Sequence, residues 1–211
     1  MSSFHEVILL IMNCEKYKYK ALKQKSTWLS QVDPNIPHFH VIGNPELTTE
    51  YLFDKNDKIL YVKTPDDYVS LPKKVIKAYE AVNNEYTFNY IFKTDDDQEL
   101  LDDGFFSKLM KTLSTNAYNY GGRLLYVNNH YSKYYMIHSE LPHNLLLKKT
   151  SYCSGRFYFL SKAAVINVLG KSEIIKQHVI EDHAIGYYLD DDLKMHILNF
   201  VTDHFFRDIK F

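Results

Sequence analysis

The sequence has little of several features that mark specialised classes of protein. It holds only two cysteines, Cys14 and Cys153, which excludes a disulfide framework and a CxxC-type metal site. Its formal net charge of −1 gives no general attraction to nucleic acid or to an anionic membrane. The longest apolar run, Val7–Met12, is too short to span a bilayer, and Glu6 before it lacks the basic flank of a signal peptide. The function must therefore depend on locally placed side chains.

The bulk composition suits one globular domain. A chain of 211 residues with 45% hydrophobic content can bury a sizeable core, so we predict that residues 1–211 form a single domain. A domain cut from a longer protein would have the same composition. The low cysteine content favours a reducing compartment. Tyrosine and phenylalanine are abundant, at 18 and 13 residues beside one tryptophan. Aromatic residues are most often core, although tyrosines clustered near a polar site also suit stacking on a sugar or a base.

Short apolar runs alternate with amphipathic stretches, which favours an α/β fold. The predicted strands cover residues 6–12, 38–42, 58–62, 88–93, 118–127, 157–160 and 194–198. The predicted helices cover residues 19–29, 72–82, 103–113, 162–169 and 179–189. The polar and aromatic stretch 128–150 is long enough to be a functional loop, and an aromatic, charged tail covers residues 199–211.

Two acidic triplets have the same composition but different contexts. Asp95, Asp96 and Asp97 follow the predicted strand 88–93 directly, at a carboxyl end of the sheet, where open α/β folds bind ligands. Adjacent carboxylates repel one another, and their hard oxygen atoms suit Mg²⁺ or Mn²⁺. The alternative is a solvated turn that caps the next helix. The triplet 190–192 joins a predicted helix to a predicted strand and is interpreted as a solvated connection.

Five segments, in order, resemble motifs of family 31 glycosyltransferases, the β-1,3-galactosyltransferase and Fringe-like enzymes. The most specific is Phe92–Asp97, which resembles the family's K-T-D-D-D signature. The others are Lys25–Trp28 (R-x-T-W in the family), Asp66–Lys74 (D-x-Y-x-N-L-T-x-K), Tyr152–Ser161 (Y-x-S-G-x-x-Y-x-L-S) and Glu181–Gly186 (E-D-V-x-x-G). One such match is weak, but five in order across most of the chain are specific.

The resemblance implies a fold and an activity. The fold would be one GT-A-type, Rossmann-like catalytic domain, with a mixed, mostly parallel sheet flanked by helices. The activity would be metal-dependent, inverting transfer of a sugar from a nucleotide-diphosphate donor, a UDP-sugar, to a hydroxyl of a glycan acceptor. The cofactor would be Mn²⁺ or Mg²⁺, and the partners a nucleotide sugar and a glycan or glycosylated acceptor, without nucleic acid or a membrane span.

The resemblance also implies the residues on the donor side of the site. It makes Asp97 the metal ligand and makes Asp95 and Asp96 contacts of the donor. It places Lys74 near the nucleotide, although Lys73 is one residue away and would be a substitute. For either lysine the alternative is a solvated helix face.

A second donor segment is Ser154, Gly155 and Arg156. Many family members have small residues after the S-G pair, so the chain departs from the pattern at Arg156. This arginine would narrow the donor pocket or supply a cation for the diphosphate. The identity of the donor sugar is left open by this departure.

Asp182 matches the carboxylate assigned as the catalytic base of inverting members. Such a base removes the proton of the acceptor hydroxyl as that oxygen attacks the anomeric carbon. The alternative for this acidic residue is stabilisation of a helix N-terminus. His204 follows the last predicted strand and is the implied second metal ligand, with His183 and His196 as competitors; His196 is placed inside a predicted strand.

The usual membrane anchor, stem and disulfide cysteines of the family are missing from this sequence. Golgi residence is therefore not carried over, and we expect a cytoplasmic protein of microbial or viral origin. Two other functions compete with glycosyl transfer: an inactive module that binds nucleotide sugars or carbohydrate, and a metal-dependent phosphoryl-transfer enzyme or nuclease. The second usually needs more carboxylates, gathered around two cations.

Overall fold

A computed structural model describes residues 4–209, and a mixed eight-stranded sheet forms its centre. The strands are β1 Phe4–Met12, β2 His38–Gly43, β3 Tyr51–Asp54, β4 Ile59–Val62, β5 Thr87–Asp95, β6 Gln98–Leu100, β7 Tyr120–Val127, β8 His130–Tyr131, β9 Leu146–Leu147, β10 Thr150–Ser161, β11 Ile197–Asn199 and β12 Phe206–Asp208. The helices are α1 Lys18–Ser26, α2 Leu71–Glu85, α3 Phe105–Thr115, α4 Lys162–Leu169, α5 Ser172–Ile175, α6 Glu181–Tyr188 and α7 Asp191–Lys194.

The order of the main sheet is β11-β7-β10-β5-β1-β2-β4-β3. Strands β5, β1, β2 and β4 are parallel neighbours, whereas β10 is antiparallel to both β5 and β7. Strand β11 is parallel to β7, and β3 closes the other edge as an antiparallel strand. The predicted α/β class, with a mixed and mostly parallel sheet flanked by helices, is confirmed.

Alternating residues of β1 build cores on both faces of the sheet. Ile8 and Leu10 face a cluster that includes the apolar side of α2, and Leu9 and Ile11 face a second cluster that includes α3. All four side chains are fully buried. Burial of one such side chain stabilises the fold by about 1.5–3 kcal/mol. The continuous apolar run of β1 thus reflects a strand covered on both faces.

Several predicted boundaries are wrong. Strand β5 continues through Asp95, so the first carboxylate of the triplet is a strand residue, and β10 begins at Thr150 instead of residue 157. His196 precedes β11 and is exposed, because the strand begins only at Ile197. Ser161 is the N-cap of α4, since its Oγ accepts a hydrogen bond from the Ala164 amide at 3.2 Å.

Three short structural features were not predicted. The edge strand β3 is only partly buried. Strand β6 forms an antiparallel ladder with β12 of the C-terminal tail, and the paired residues are 106 to 110 positions apart in the sequence. The stretch 128–150 contains the small ladder of β8 and β9. Within residues 4–209, no helix has both the length and the apolar character needed to cross a membrane.

Candidate active site

A cleft of about 400 Å³ opens where β1 and β5 end. The loop before α2, the first residues of α6 and part of the stretch 128–150 complete its walls. Most of the candidate residues line this cleft: Lys74, Asp95, Asp96, Asp97, Gly155 and Asp182. Their convergence from four separate segments is what a ligand site at the carboxyl end of a sheet requires.

Each carboxylate of the first triplet has a different partner. Lys93 Nζ lies 2.7 Å from Asp95 Oδ1, and Lys20 Nζ lies 3.1 Å from Asp96 Oδ1. Asp97 Oδ1 instead accepts a hydrogen bond of 2.7 Å from Gln98 Nε2. Lysines therefore pair directly with the first two carboxylates, whereas Asp97 forms no direct ion pair with a lysine within residues 4–209 and the charge of Lys20 acts on it from a longer distance.

Asp95 and Asp96 resist ionisation despite these lysines. Loss of bulk water raises the pKa of Asp95 to about 6; Lys93 opposes this shift, and the charge of Asp97 adds to it. Burial likewise raises the pKa of Asp96 to about 6 against the opposing effect of Lys20. The free energy cost of gathering these charges is the property that a bound cation would relieve.

The buried ammonium of Lys93 joins two walls of the cleft. It donates to Asp95 Oδ1 and to the carbonyl oxygen of Gly155 at 2.9 Å, and it lies 3.5 Å from Glu181 Oε2. Glu181 also accepts a hydrogen bond from the hydroxyl of Tyr158. These opposite charges hold the pKa of Lys93 above its usual range, although burial alone would lower it.

Asp182 lies at the opposite wall, in the first turn of α6. Its Oδ2 accepts the amide hydrogen of Gly155 at 2.8 Å, and its Oδ1 accepts that of His183 at 2.8 Å. Burial raises the pKa of Asp182, with Lys93 and these amides opposing the shift. A side chain on Gly155 would place Cβ 3.3 Å from Asp182 Oδ2, so this glycine permits the close approach.

Lys74, and not Lys73, faces the cleft. Lys73 is exposed, whereas Lys74 is buried and its Nζ contacts Asp66 Oδ1 at 2.5 Å and the carbonyl oxygen of Asn13 at 2.7 Å. Asp66 in turn accepts hydrogen bonds from the amides of Gly43 and Glu15. This pair connects the two ends of the matched segment Asp66–Lys74 and ties together the loops at one end of the cleft.

Three candidates lie elsewhere. Among the described residues, the cleft lining does not include Ser154, Arg156 or His204. The guanidinium of Arg156 donates to Asp208 Oδ1 at 2.8 Å in the C-terminal segment, and its expected role in the donor pocket stays a prediction. His204 is exposed at the end of the short helix Thr202–His204.

His183 and the second acidic triplet have protein partners outside the acidic site. His183 is buried, and its Nε2 donates to the carbonyl oxygen of Lys148 at 2.8 Å. The second acidic triplet is exposed, as expected for a solvated connection. Its Asp190 pairs with Lys171 Nζ at 2.5 Å and accepts a hydrogen bond from Asn167.

Sequence reasoning missed several residues of the cleft. Tyr68 and His138 stack with ring centroids 3.9 Å apart, and both line the cleft together with Tyr134. Lys20 and Lys93 were missed as well. The position of Lys93 inside an otherwise apolar strand could have indicated a buried ion pair. A buried ammonium needs a counter-charge, and in this chain Asp95 supplies it.

The donor set fits a divalent cation. Asp97 offers a hard carboxylate oxygen, and its Oδ2 has no hydrogen-bond or ion-pair partner within residues 4–209. The same residues contain no group of three His, Cys, Asp or Glu side chains placed to enclose a metal. Mg²⁺-type sites commonly use one or two carboxylates and complete the coordination with phosphates and water. Asp97 is therefore the residue of the cleft that would hold such a cation, with phosphates and water supplying the remaining ligands.

Comparison of the sequence with protein families gives a match to the galactosyltransferase family model over residues 21–200. A search of curated proteins found no significant match.

Solved structures share the fold at low sequence identity. The glycosyltransferase involved in glycosylation of the major capsid of PBCV-1 is 10% identical, with a TM-score of 0.52, over 93% of this chain and 82% of that one. S. aureus TarS 1–349 is 11% identical, with a TM-score of 0.54, over 97% of this chain and 60% of that one. The 4-diphosphocytidyl-2C-methyl-D-erythritol synthase from Anaerococcus prevotii is 9% identical, with a TM-score of 0.51, over 93% and 86% of the two chains.

Proposed function

The chain belongs to the galactosyltransferase family, and on that premise we propose that it transfers a sugar from a UDP-sugar to a hydroxyl of a glycan acceptor with inversion of configuration. That it is a glycosyltransferase follows from the family. The donor nucleotide, the dependence on Mn²⁺ or Mg²⁺ and the stereochemistry are the proposed parts. We also propose Asp97 as the cation ligand, with Asp95, Asp96 and Lys74 on the donor side.

One observation carries the proposal: the acidic triplet and Asp182 line one cleft and are linked by a short chain of contacts. The ammonium of Lys93 donates hydrogen bonds to Asp95 and to the carbonyl oxygen of Gly155, and the amide of Gly155 donates a hydrogen bond to Asp182. The proposed donor-side and acceptor-side groups are thus linked by partly buried hydrogen bonds. Such placement is what transfer between two bound substrates needs.

The proposed base is Asp182. Its carboxylate would take the proton of the acceptor hydroxyl as that oxygen attacks the anomeric carbon from the side opposite the nucleotide. A raised pKa suits this task, because a stronger base accepts a proton more readily. The hydrogen bonds from Gly155 and His183 leave the carboxylate in one orientation.

The donor side has to manage negative charge. A cation held by Asp97, when bound, neutralises charge that develops on the leaving nucleotide diphosphate. Lys74 adds a positive charge at the same end of the cleft, held in place by Asp66 and Asn13. The backbone of Gly155 lies between the two sides, which supports a donor contact there. Ser154 and Arg156 would contact the donor only after a rearrangement of this strand.

We retain His204 as the proposed second cation ligand. The segment 202–209 packs beside the triplet, since the amide of Ile209 donates to the carbonyl oxygen of Asp97 at 2.7 Å. His196 precedes β11 at the far edge of the sheet. We expect His204→Ala to weaken Mn²⁺ binding and His196→Ala to leave it unchanged in metal titrations. The opposite ranking would reject His204.

The experiment for the function is incubation with a panel of nucleotide sugars and Mn²⁺, with and without EDTA, while free nucleotide is measured. We expect release of intact UDP from one UDP-sugar, and loss of that release with EDTA. Binding without release would indicate an inactive binding module. Release of a nucleoside monophosphate would indicate phosphoryl-transfer chemistry instead.

A further inference from the structure

The side chain of Gln98 lies between two carboxylates that come from opposite ends of the sequence. Its Nε2 donates to Asp97 Oδ1 at 2.7 Å and to Asp208 Oδ1 at 3.0 Å. An amide nitrogen carries two hydrogens, so both of its donors are used. Gln98 itself is buried, with 4% of its surface exposed, and the two hydrogen bonds are partly buried.

The backbone of Gln98 is fixed as firmly as its side chain. Its carbonyl oxygen accepts hydrogen bonds from Trp28 Nε1 at 3.0 Å and from Gln24 Nε2 at 2.8 Å. Gln98 also pairs with Asp208 in the antiparallel ladder of β6 and β12. The tryptophan of the early matched segment therefore anchors the residue that follows the acidic triplet.

Arg156 completes the arrangement from strand β10. Its guanidinium donates to Asp208 Oδ1 and, at 3.0 Å, to the carbonyl oxygen of Phe206, and it lies 3.4 Å from Asp203 Oδ1. A planar guanidinium that binds several acceptors at once fixes their relative positions. The arginine expected at the diphosphate thus ties β10 to the C-terminal strand β12, which pairs with the strand that carries Gln98.

We infer that Gln98 is a positioning residue that orients the Asp97 carboxylate for the cation, and that the Asp208–Arg156 pair holds Gln98 in place. The inference rests on the proposed function, in which Asp97 binds the cation. With Oδ1 fixed by Gln98, Oδ2 of Asp97 keeps one direction and has no partner within residues 4–209. Groups that orient metal ligands in this way typically change metal affinity 10- to 100-fold when they are removed.

The first test replaces Gln98 with methionine, which has a similar length but no N–H donor. We expect Gln98→Met to weaken Mn²⁺ binding, measured by the electron paramagnetic resonance signal of free Mn²⁺ in the presence of UDP, by about 10-fold or more. Asp208→Ala is the second variant, because the Asp208 side chain is 67% exposed and its removal leaves the core intact. We expect a smaller loss of affinity from it, about threefold or more.

The matched control is Glu99→Gln in the same ladder. Glu99 Oε2 accepts from Arg207 Nε at 2.7 Å, one position along each strand and on the opposite face. The Glu99→Gln substitution removes this cross-strand ion pair and does not change a contact of Asp97, so we expect Mn²⁺ affinity within twofold of the unmodified protein. A loss as large as that of Gln98→Met would mean that the ladder matters only as structure, and would overturn the inference.

The same titrations separate this inference from the proposed function. If Asp97→Asn does not weaken Mn²⁺ binding, the cation site itself is misplaced and the proposed function fails at that point. If Asp97→Asn weakens binding while Gln98→Met and Asp208→Ala both stay within twofold of the unmodified protein, the positioning role alone is overturned. Thermal unfolding of each variant shows whether it is folded at the temperature of the titration.

Discussion

The amide nitrogen of Gly155 lies 2.8 Å from Asp182 Oδ2, and this hydrogen bond joins strand β10 to the first turn of α6. The distance depends on the missing side chain of the glycine. A Cβ at this position would lie 3.3 Å from Asp182 Oδ2, which is tighter than most Cβ contacts, and 3.4 Å from Lys93 Nζ, which is within ordinary van der Waals contact. A side chain at this position would therefore require the Asp182 carboxylate, the proposed base, to shift by a few tenths of an ångström.

The first prediction follows from this contact. We expect Gly155→Ala to lower kcat about tenfold, because a shift of a few tenths of an ångström in a reacting group already costs rate. The affinity for UDP with Mn²⁺ should change less than threefold. Steady-state kinetics and calorimetry together test this, and an unchanged kcat would show that the seat of Asp182 is not critical.

The second prediction compares the last residues of the two acidic triplets. We expect Asp97→Asn to abolish Mn²⁺-dependent binding of UDP in calorimetry, because it removes the proposed anionic ligand, which forms no direct ion pair with a lysine within residues 4–209. Asp192→Asn, in the exposed triplet, should have no effect. Equal effects, or none at Asp97, would contradict the assignment of the metal ligand.

The third prediction concerns how α6 packs on the sheet. A Cβ on Gly186 would lie 2.3 Å from Tyr152 Cβ, so Gly186→Ala forces the helix away from β10. We expect a loss of about 1–3 kcal/mol in the free energy of unfolding, measured with denaturant. Gly170→Ala is the control, since its Cβ would make contacts of only 3.4 and 3.6 Å. Equal losses would mean that the packing at Gly186 is not tight.

The fourth prediction concerns pH and the stability of the metal-free protein. The pKa of Asp96 is raised from 3.8 to about 6, so the folded state holds this proton more tightly than the unfolded state. Ionisation of Asp96 therefore costs stability above pH 6, and the cost disappears below pH 3.8. Asp96→Asn should raise the free energy of unfolding by about 1–3 kcal/mol at pH 8, and by less at pH 5.

Its control is Asp190→Asn. Hydrogen bonds from Lys171 and Asn167 lower the pKa of Asp190, so its ionised form stabilises the fold above pH 3.8 and this contribution is lost as the pH falls through the lowered pKa. The two substitutions should therefore act in opposite directions at pH 8 when EDTA is present. Denaturant titrations that give both variants the same sign would contradict the electrostatic account of the cleft.

The sequence predicted the elements whose signals are local. Strand β1 has a continuous apolar run, and α2 has Pro72 in its first turn and apolar residues at helical spacing behind it. Strands β6 and β12 have no such signal, because three residues become a strand only through pairing across the chain. The edge strand β3 was missed because its short, half-buried sequence lacks a clear alternation.

The candidate site also contains some residues that the sequence predicted and others that it did not. The acidic triplet and Asp182 were predicted because motif positions identify them, and the structure brings them to one cleft. The direction of Arg156 was not predictable, since its partners lie about fifty positions later in the C-terminal segment. Lys93 was not assigned a role from the sequence, although a lysine in a buried strand requires a counter-charge, which Asp95 supplies.

The most direct test of the account is proton NMR of the anomeric signal in the first product formed, with Asp182→Asn measured beside the unmodified protein. Single displacement with Asp182 as the base predicts a β-linked product from an α-linked donor. It also predicts a loss of turnover of about 10²- to 10⁴-fold in Asp182→Asn while donor affinity stays nearly intact. Retention of configuration, or full turnover by Asp182→Asn, would contradict it.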